Sequence, residues 1–384
     1  MPGLSAPRAL AAAGHALRAQ FFVLGLLFAT WGVHVPTVKA RYGLGEQALA
    51  LAMLASGVGA LLALAQAGRI VGRFGPRAVA AAMGVACCAS IACLLAWPVY
   101  GALLAVMLAF GVTGSLLDVA LNTEASEIER QADRPLMSGF HGMFSLGGMA
   151  GAGLGSAALA AGIAPQAHLA AATALGAATV LLSSRLMLPL RPDAAGTDHP
   201  LSLPRGPLLL LGVLASMGLI AEGAMYDWSV LFMRQERGSA AGTAALAYAS
   251  FSGAMAAGRF AGDRVRARTS PTRLMRASGL LAAAGMLLAL ALPSPAAALA
   301  GFALVGLGLS NVVPVLFSAA ARAPGVSPAH GIAAVSGAGY LGMMAGPPLI
   351  GLIAEHASLA TGLLVVVAFA VFMALAARRA LRGA

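Results

Sequence analysis

Charged residues are scarce in this chain. Only 10% of its 384 residues are Asp, Glu, Lys or Arg, whereas soluble globular domains carry roughly 25%. Hydrophobic residues make up 60% of the sequence. This composition excludes an ordinary water-soluble domain and favours a protein of the lipid bilayer.

Cysteine is also rare, and two common motifs of enzymes are missing. Cys87, Cys88 and Cys93 fall in one apolar stretch without the spacing of metal ligands, so we expect no disulfide, metal or cofactor. The sequence has no Gly-x-x-x-x-Gly-Lys-Ser/Thr loop for nucleotide phosphates and no His-Glu-x-x-His motif of zinc proteases. Ser138 lies near His141, but no motif adds an orienting acid. We therefore do not expect an enzyme.

Long apolar stretches fill almost the whole chain. Each is about 20 residues long, which is enough to cross a bilayer as a helix. We predict twelve transmembrane helices, named spans 1 to 12, at 17–38, 46–67, 78–97, 101–125, 136–161, 168–189, 206–232, 240–262, 274–292, 296–320, 331–354 and 358–378.

The formal net charge of +11 is distributed unevenly between the loops. With an even number of spans, the side that holds both termini carries all of the 24 Lys and Arg except Lys39, Arg41, Arg234 and Arg237. Cytoplasmic segments of membrane proteins are enriched in these residues. This asymmetry predicts that both termini are cytoplasmic and explains the positive charge without a nucleic-acid partner. We further expect a monomer in the bacterial inner membrane and no cleaved signal peptide.

An offset of 195 residues reveals an internal repeat. It aligns "RIVGRFGPR" at 69–77 with "RVRARTSPT" at 264–272, and "SLGGMAGAGL" at 145–154 with "YLGMMAGPPL" at 340–349. Because separate segments share one register, the alignment predicts a duplication. The expected organisation is two parallel six-helix halves joined by a cytoplasmic linker, at 1–190, 191–205 and 206–384.

Several of these segments resemble a known family. The loop "GRIVGRFGPR" between spans 2 and 3 resembles the Gly-x-x-x-Asp-Arg-x-Gly-Arg signature of the major facilitator superfamily, except that Gly72 takes the acidic position. "LLDVALNTE" in span 4 and "GLSNVVPVLFSAA" in span 10 are similar to its fucose-permease-like bacterial branch. The resemblance implies an all-α fold of two pseudo-symmetric bundles that move a small-molecule substrate by alternating access, with a site near the midplane between the halves.

The family signature also implies a cytoplasmic gate. In that family the acid of the loop latches the cytoplasmic side through charge pairs, and here Asp263 is a candidate to replace the acid missing at Gly72. Membrane topology alone is an adequate alternative explanation for the arginines. The gate residues implied are Arg69, Arg73, Arg77, Asp263, Arg264 and Arg268.

Span 4 contains an acid that needs an explanation. Asp118 and Asn122 are four residues apart and share a helix face. A charge at the bilayer centre costs roughly 2.5–3.5 kcal/mol on insertion scales. We interpret Asp118 as a proton carrier and Asn122 as a substrate ligand, with His141 of span 5 as a possible relay. The alternative is that Asp118 only bonds a neighbouring helix, and that His141 is a structural donor.

Polar and aromatic residues elsewhere complete the candidate site. In span 7, Glu222 is the second candidate proton or substrate group, and an interhelical hydrogen bond is its alternative. Asp227, Trp228 and Trp31 are candidate substrate ligands, although tryptophan is also common as an interfacial anchor.

Spans 5, 10 and 11 contain residues that predict a helix bend or a close contact between helices. Asn311 is a candidate substrate ligand near Pro314, and a proline inside a helix predicts a bend. The glycines of spans 5 and 11 predict close helix contacts, which we place at the interface between the halves.

The sequence as a whole predicts a secondary transporter of a small polar solute, driven by protons. A sugar or polyol is the first choice of substrate, and the resemblance alone suggests it. Proton-coupled efflux of drug-like or metabolic compounds is the alternative. A facilitator without ion coupling is a third possibility.

Overall fold

The computed structural model describes residues 6–133, 136–190, 204–324 and 328–382. All regular secondary structure in these ranges is helical. The thirteen helices are α1 (Ala6–Tyr42), α2 (Glu46–Phe74), α3 (Pro76–Ala92), α4 (Tyr100–Ala132), α5 (Met137–Ala160), α6 (Pro165–Ser184), α7 (Pro207–Gln235), α8 (Ala241–Arg268), α9 (Pro271–Ala291), α10 (Pro295–Leu309), α11 (Val312–Ala321), α12 (Pro328–His356) and α13 (Leu359–Ala380).

The twelve predicted spans correspond to these helices one by one, with α10 and α11 together forming span 10. The break between them falls at Ser310 and Asn311. Pro314 follows in the first turn of α11, where it lacks the N–H that would bond to the carbonyl of Ser310. The predicted all-α fold and the bend in span 10 are confirmed. The predicted linker 191–205 lies outside the described residues, except for Pro204 and Arg205.

Ten of the described spans are long and apolar enough to cross a membrane. Helix α3 has 17 residues, which gives a length of about 25 Å. Helix α8 is missing from the ten for a different reason. Leu246 is its only Leu, Ile or Val between 241 and 258, because Ala, Gly and Ser take most of the other positions.

The chain forms two compact units. The first comprises Met1–Gly43 and Ala55–Asp198, and the second comprises Leu44–Leu54 and His199–Ala384. These limits differ from the predicted halves mainly in the first turns of α2, which group with the second unit.

The same helix pairing occurs inside each unit. In the first unit, α1 packs against α5 and α6, and α3 packs against α4 and α6. In the second, α7 packs against α12 and α13, and α9 packs against α10 and α13. The offset of 195 residues relates each of these helix pairs in the first unit to one of the pairs in the second unit. The two halves therefore share one topology, as the repeat predicts.

Glycines let the paired helices approach closely. A Cβ added at Gly147 of α5 would lie 2.0 Å from the carbonyl oxygen of Phe22 in α1. A Cβ at Gly342 of α12 would lie 2.6 Å from the Cβ of Ser216 in α7. The predicted close contacts are confirmed, and at Gly147 and Gly342 the partner helix belongs to the same half of the chain, whereas we had placed the contact between the halves. These glycines pack within their own units because small residues are needed wherever two helix backbones meet.

Candidate functional site

A polar cluster lies on α4 and α5 of the first unit. Asn122 donates a hydrogen bond from Nδ2 to the backbone oxygen of Asp118, at 2.9 Å. Its Oδ1 lies 3.2 Å from Nε2 of His141. Because an amide oxygen only accepts, this arrangement places a hydrogen on Nε2 of His141. The structure therefore places His141 beside the face of α4 that carries Asp118 and Asn122.

Asp118 is half-buried on the face of α4 that carries Asn122. Asn122 uses its amide nitrogen on the helix backbone and its amide oxygen on His141, so it fixes the imidazole one helix away. The imidazole also lies 5.3 Å, centroid to centroid, from the ring of Phe21 in α1. This arrangement places a carboxylic acid and an imidazole on two neighbouring helices, which is chemistry suited to proton binding.

The second unit holds a buried ion pair. Oε1 of Glu222 in α7 accepts hydrogen bonds from Nη2 of Arg259 at 3.0 Å and from the hydroxyl of Tyr226 at 3.1 Å. The side chains of Arg259 and Glu222 are only 15% and 10% exposed. The interhelical bond that was the alternative for Glu222 is thus present, and its partner is a charged group in the middle of α8.

Two hydroxyl groups near this pair have no hydrogen-bond partner among the described residues. The ring of Tyr226 packs against those of Tyr248 and Phe251, each with centroids 5.1 Å away. The hydroxyl of Tyr248 and that of Ser252 are both buried and unpaired in the described part of the chain. A buried hydroxyl without a partner is costly, and both of these side chains are fully buried.

The helix break in span 10 packs on the same helix. Nδ2 of Asn311 donates to Oγ of Ser310 at 3.0 Å and to the carbonyl of Gly258 in α8 at 3.4 Å. A Cβ at Gly262 would lie 2.6 Å from Oδ1 of Asn311. Asn311 therefore ties the break to α8, next to Arg259 in sequence.

The two candidate tryptophans, Trp31 and Trp228, are buried within their units. Trp31 is 3% exposed and Trp228 is fully buried. The indole Nε1 of Trp228 has no partner among the described residues, whereas Asp227 beside it is half-buried. Full burial does not suit an interfacial anchor, which keeps its polar edge in water.

The gate residues are mostly at the surface. Asp263 is exposed and pairs with Arg266 in its own helix. Arg73 stacks its guanidinium carbon 5.2 Å above the ring of Phe74, and Arg77 is half-buried in α3. The other three arginines of the proposed gate are exposed, namely Arg69, Arg264 and Arg268.

Sequence reasoning missed three buried polar groups. Arg259 was counted among the cytoplasmic charges, although its position inside the predicted span 240–262 was a usable signal. Glu124 is fully buried and accepts from the backbone nitrogen of Leu188 at 2.8 Å. His168 lies 2.9 Å from His34, measured from Nδ1 to Nε2. The last two pairs join distant segments, which one sequence does not reveal.

No group of three or more His, Cys, Asp or Glu side chains in the described residues is placed to hold a metal ion. The three cysteines are free thiols, two of them buried.

Comparison with known proteins defines the class of molecule. The family model described as Major Facilitator Superfamily matches residues 19–327. The chain therefore belongs to the major facilitator superfamily and is a multi-pass membrane transporter with bacterial relatives.

One relative and two solved structures show how far the likeness extends. An uncharacterised MFS-type transporter of Yersinia pestis is 38% identical over 344 residues, which is 89% of each chain. The crystal structure of a D-xylose-proton symporter matches with a TM-score of 0.73 and 14% identity, over 95% of this chain and 96% of that one. The MFS transporter FucP, in its outward conformation, matches with a TM-score of 0.64 and 16% identity, over 97% and 99%. The two structural matches establish the fold alone.

Proposed function

We propose that this protein is a proton-coupled secondary transporter that moves a small polar solute by alternating access, with a sugar or polyol as the first choice. We place it in the bacterial inner membrane as a monomer, with both termini cytoplasmic. The observation that carries the proposal is that each unit contains a carboxylate within its membrane helices. Asp118 and Glu222 are both costly there, and such residues mark ion and substrate pathways.

Asp118 is proposed to bind and release the coupling proton. Its half-buried position leaves part of the side chain accessible, while the helices around it are apolar. His141, held by Asn122, is the proposed relay. A neutral Asp118 is less costly inside the membrane than a charged one, so protonation favours the states in which the residue is shielded from water.

Glu222 is proposed to link substrate binding to charge. It is paired with Arg259 and bonded to Tyr226. A proton on Glu222 would weaken that pair and leave the arginine available to a substrate oxygen. The unpaired hydroxyls of Tyr248 and Ser252 on the same helix as Arg259 suit a ligand with several hydroxyl groups.

Four further residues remain proposed substrate ligands, namely Trp31, Asp227, Trp228 and Asn311. The D-xylose-proton symporter of the same fold supports the sugar proposal by analogy. We also propose that the gate residues, the five arginines and Asp263, stabilise one conformation of the cytoplasmic side.

Ligand-dependent stabilisation of the purified protein tests the substrate class. A ligand that binds the folded state raises the melting temperature by mass action. We expect a hydroxylated compound to give the largest shift in a panel of sugars, polyols, sugar acids, amino acids and drug-like cations. Stabilisation by drug-like compounds alone would favour the efflux alternative and refute the sugar proposal.

Proton movement into proteoliposomes tests the coupling residues. Addition of the solute found in the panel should move protons with the wild type and fail to do so with Asp118→Asn or Glu222→Gln. Asp133→Asn and Glu127→Gln are the matched controls, because they make the same chemical changes elsewhere. Asp133 is exposed at the end of α4, and Glu127 is a partly exposed residue of α4. Full proton movement in both site variants would overturn the assignment, provided that the variants reconstitute at wild-type levels.

A further inference from the structure

A groove opens on the first unit where three helix ends meet. It lies between the end of α2, the start of α3 and the end of α6, and its volume is about 420 Å³. Gly75 makes the turn between α2 and α3 with φ of 80°, and a Cβ there would lie 3.2 Å from the carbonyl oxygen of Leu190 on the far wall. The volume is in the usual range of sites for small molecules, roughly 300–1,000 Å³.

The charge of this groove is positive. Arg77 of α3 and Arg185, directly after α6, both line it. Arg73, next to the lining residue Phe74, stacks on the ring of Phe74. No Asp or Glu is among the described residues that line it. Glu124 interacts electrostatically with Arg77. However, Glu124 is fully buried and accepts a hydrogen bond from the backbone nitrogen of Leu188, in the segment that follows α6. The loop therefore presents arginines without an acid of its own, as Gly72 already indicated.

The remaining wall of the groove is apolar. Phe74 and Leu181 line it and are 58% and 49% exposed. Leu182, next to Leu181 on α6, is 61% exposed. In a membrane protein such side chains face acyl chains. The groove thus combines two guanidinium groups with a wall that suits hydrocarbon.

We propose that this groove binds an anionic phospholipid, with its phosphate between Arg77 and Arg185 and an acyl chain along Phe74 and Leu181. Guanidinium groups bind phosphate oxygens through paired N–H donors. Basic pockets between membrane helices recognise anionic head groups on the cytoplasmic side, and the charge distribution predicts that side for these loops. A free phosphate would use the arginines but not the apolar wall. The lipid supplies the counter-charge that the family signature usually places at position 72.

Native mass spectrometry of the purified transporter tests the proposal, with phosphatidylglycerol and phosphatidylcholine as probes. We expect wild type to bind phosphatidylglycerol more tightly than phosphatidylcholine. Arg77→Gln with Arg185→Gln should weaken phosphatidylglycerol roughly 30-fold, from the usual contribution of two basic residues at a membrane surface. Phosphatidylcholine binding should change little.

Arg378→Gln with Arg379→Gln is the matched control, because it removes two exposed arginines at the end of α13. An equal loss in this control would show a general charge effect and refute the site. Leu181→Asn should weaken the binding of phosphatidylglycerol and leave any binding of glycerol 3-phosphate unchanged. If glycerol 3-phosphate competes as well as the lipid does, the groove is a site for soluble phosphate and the lipid proposal is wrong. Equal affinity for the two lipids would also refute it.

Discussion

The ion pair between Glu222 and Arg259 allows a quantitative prediction. Both side chains are almost buried, so removing either one breaks their ion pair inside the bundle. Breaking a buried pair in this way costs about 3–5 kcal/mol, whereas replacing both partners with apolar residues of similar volume is often close to neutral. We therefore expect Glu222→Leu and Arg259→Met to destabilise the protein strongly as single changes.

The double variant separates this effect from simple loss of packing. It removes both charges and leaves the hydroxyl of Tyr226 without its acceptor, which costs about 1–3 kcal/mol. The coupling energy of the cycle is therefore expected to be about 3 kcal/mol or more, with the double variant more stable than the sum of the two single losses predicts. Reversible unfolding in mixed detergent micelles, followed by tryptophan fluorescence, measures each free energy.

A second cycle on the pair of Glu127 and Arg130 serves as the control. Arg130 is 73% exposed in its side chain, and the two residues lie three apart on α4. Water screens such a pair, so its coupling should be small. If the losses at Glu222 and Arg259 are additive within about 0.5 kcal/mol, the pair does not stabilise the bundle and our reading of its burial is wrong.

The other predictions concern packing and buried polar groups. Gly147→Ala should lower stability by about 1–3 kcal/mol, because its Cβ would overlap a carbonyl oxygen of α1, whereas Gly153→Ala on the same helix has nothing within 4 Å and should be tolerated in the same unfolding assay. His168→Ala should cost about 1–3 kcal/mol, because Nε2 of His34 loses its partner. A stability equal to wild type would contradict the hydrogen bond. Glu124→Ala should destabilise more than Glu124→Gln, because glutamine keeps an acceptor for the backbone amide, and thermal denaturation of the two variants compares them directly.

Most of the fold was predictable because lipid restricts the options. A membrane span must be apolar and helical, so hydropathy located the twelve spans. The duplication predicted that the two units contain the same helix pairs. Helix ends were less predictable. Helix α1 begins at Ala6 and not near position 17, because the alanine-rich segment before span 1 favours a helix without being apolar enough to count as a span.

The site was predictable only in part. Asp118, Asn122 and His141 were proposed because charged and polar residues stand out in apolar spans, and the spacing of Asp118 and Asn122 places them on one helix face. The partner of Glu222 was missed, because which residue of α8 faces α7 depends on helix rotation, and the sequence does not determine that rotation. Arg259 was counted with the cytoplasmic charges although it lies inside the predicted span 240–262. His34 and His168 are 134 positions apart in the sequence, and no local pattern connects them.

Transport by the Asp118→Asn variant tests the central claim most directly. In proteoliposomes loaded with the solute identified by thermal stabilisation, we expect the wild type to accumulate that solute against its gradient when a proton gradient is imposed. The variant should lose this accumulation and still exchange labelled for unlabelled solute, because binding and alternating access do not need the proton. Wild-type accumulation by the variant, or a wild type that only equilibrates the solute, would contradict the account.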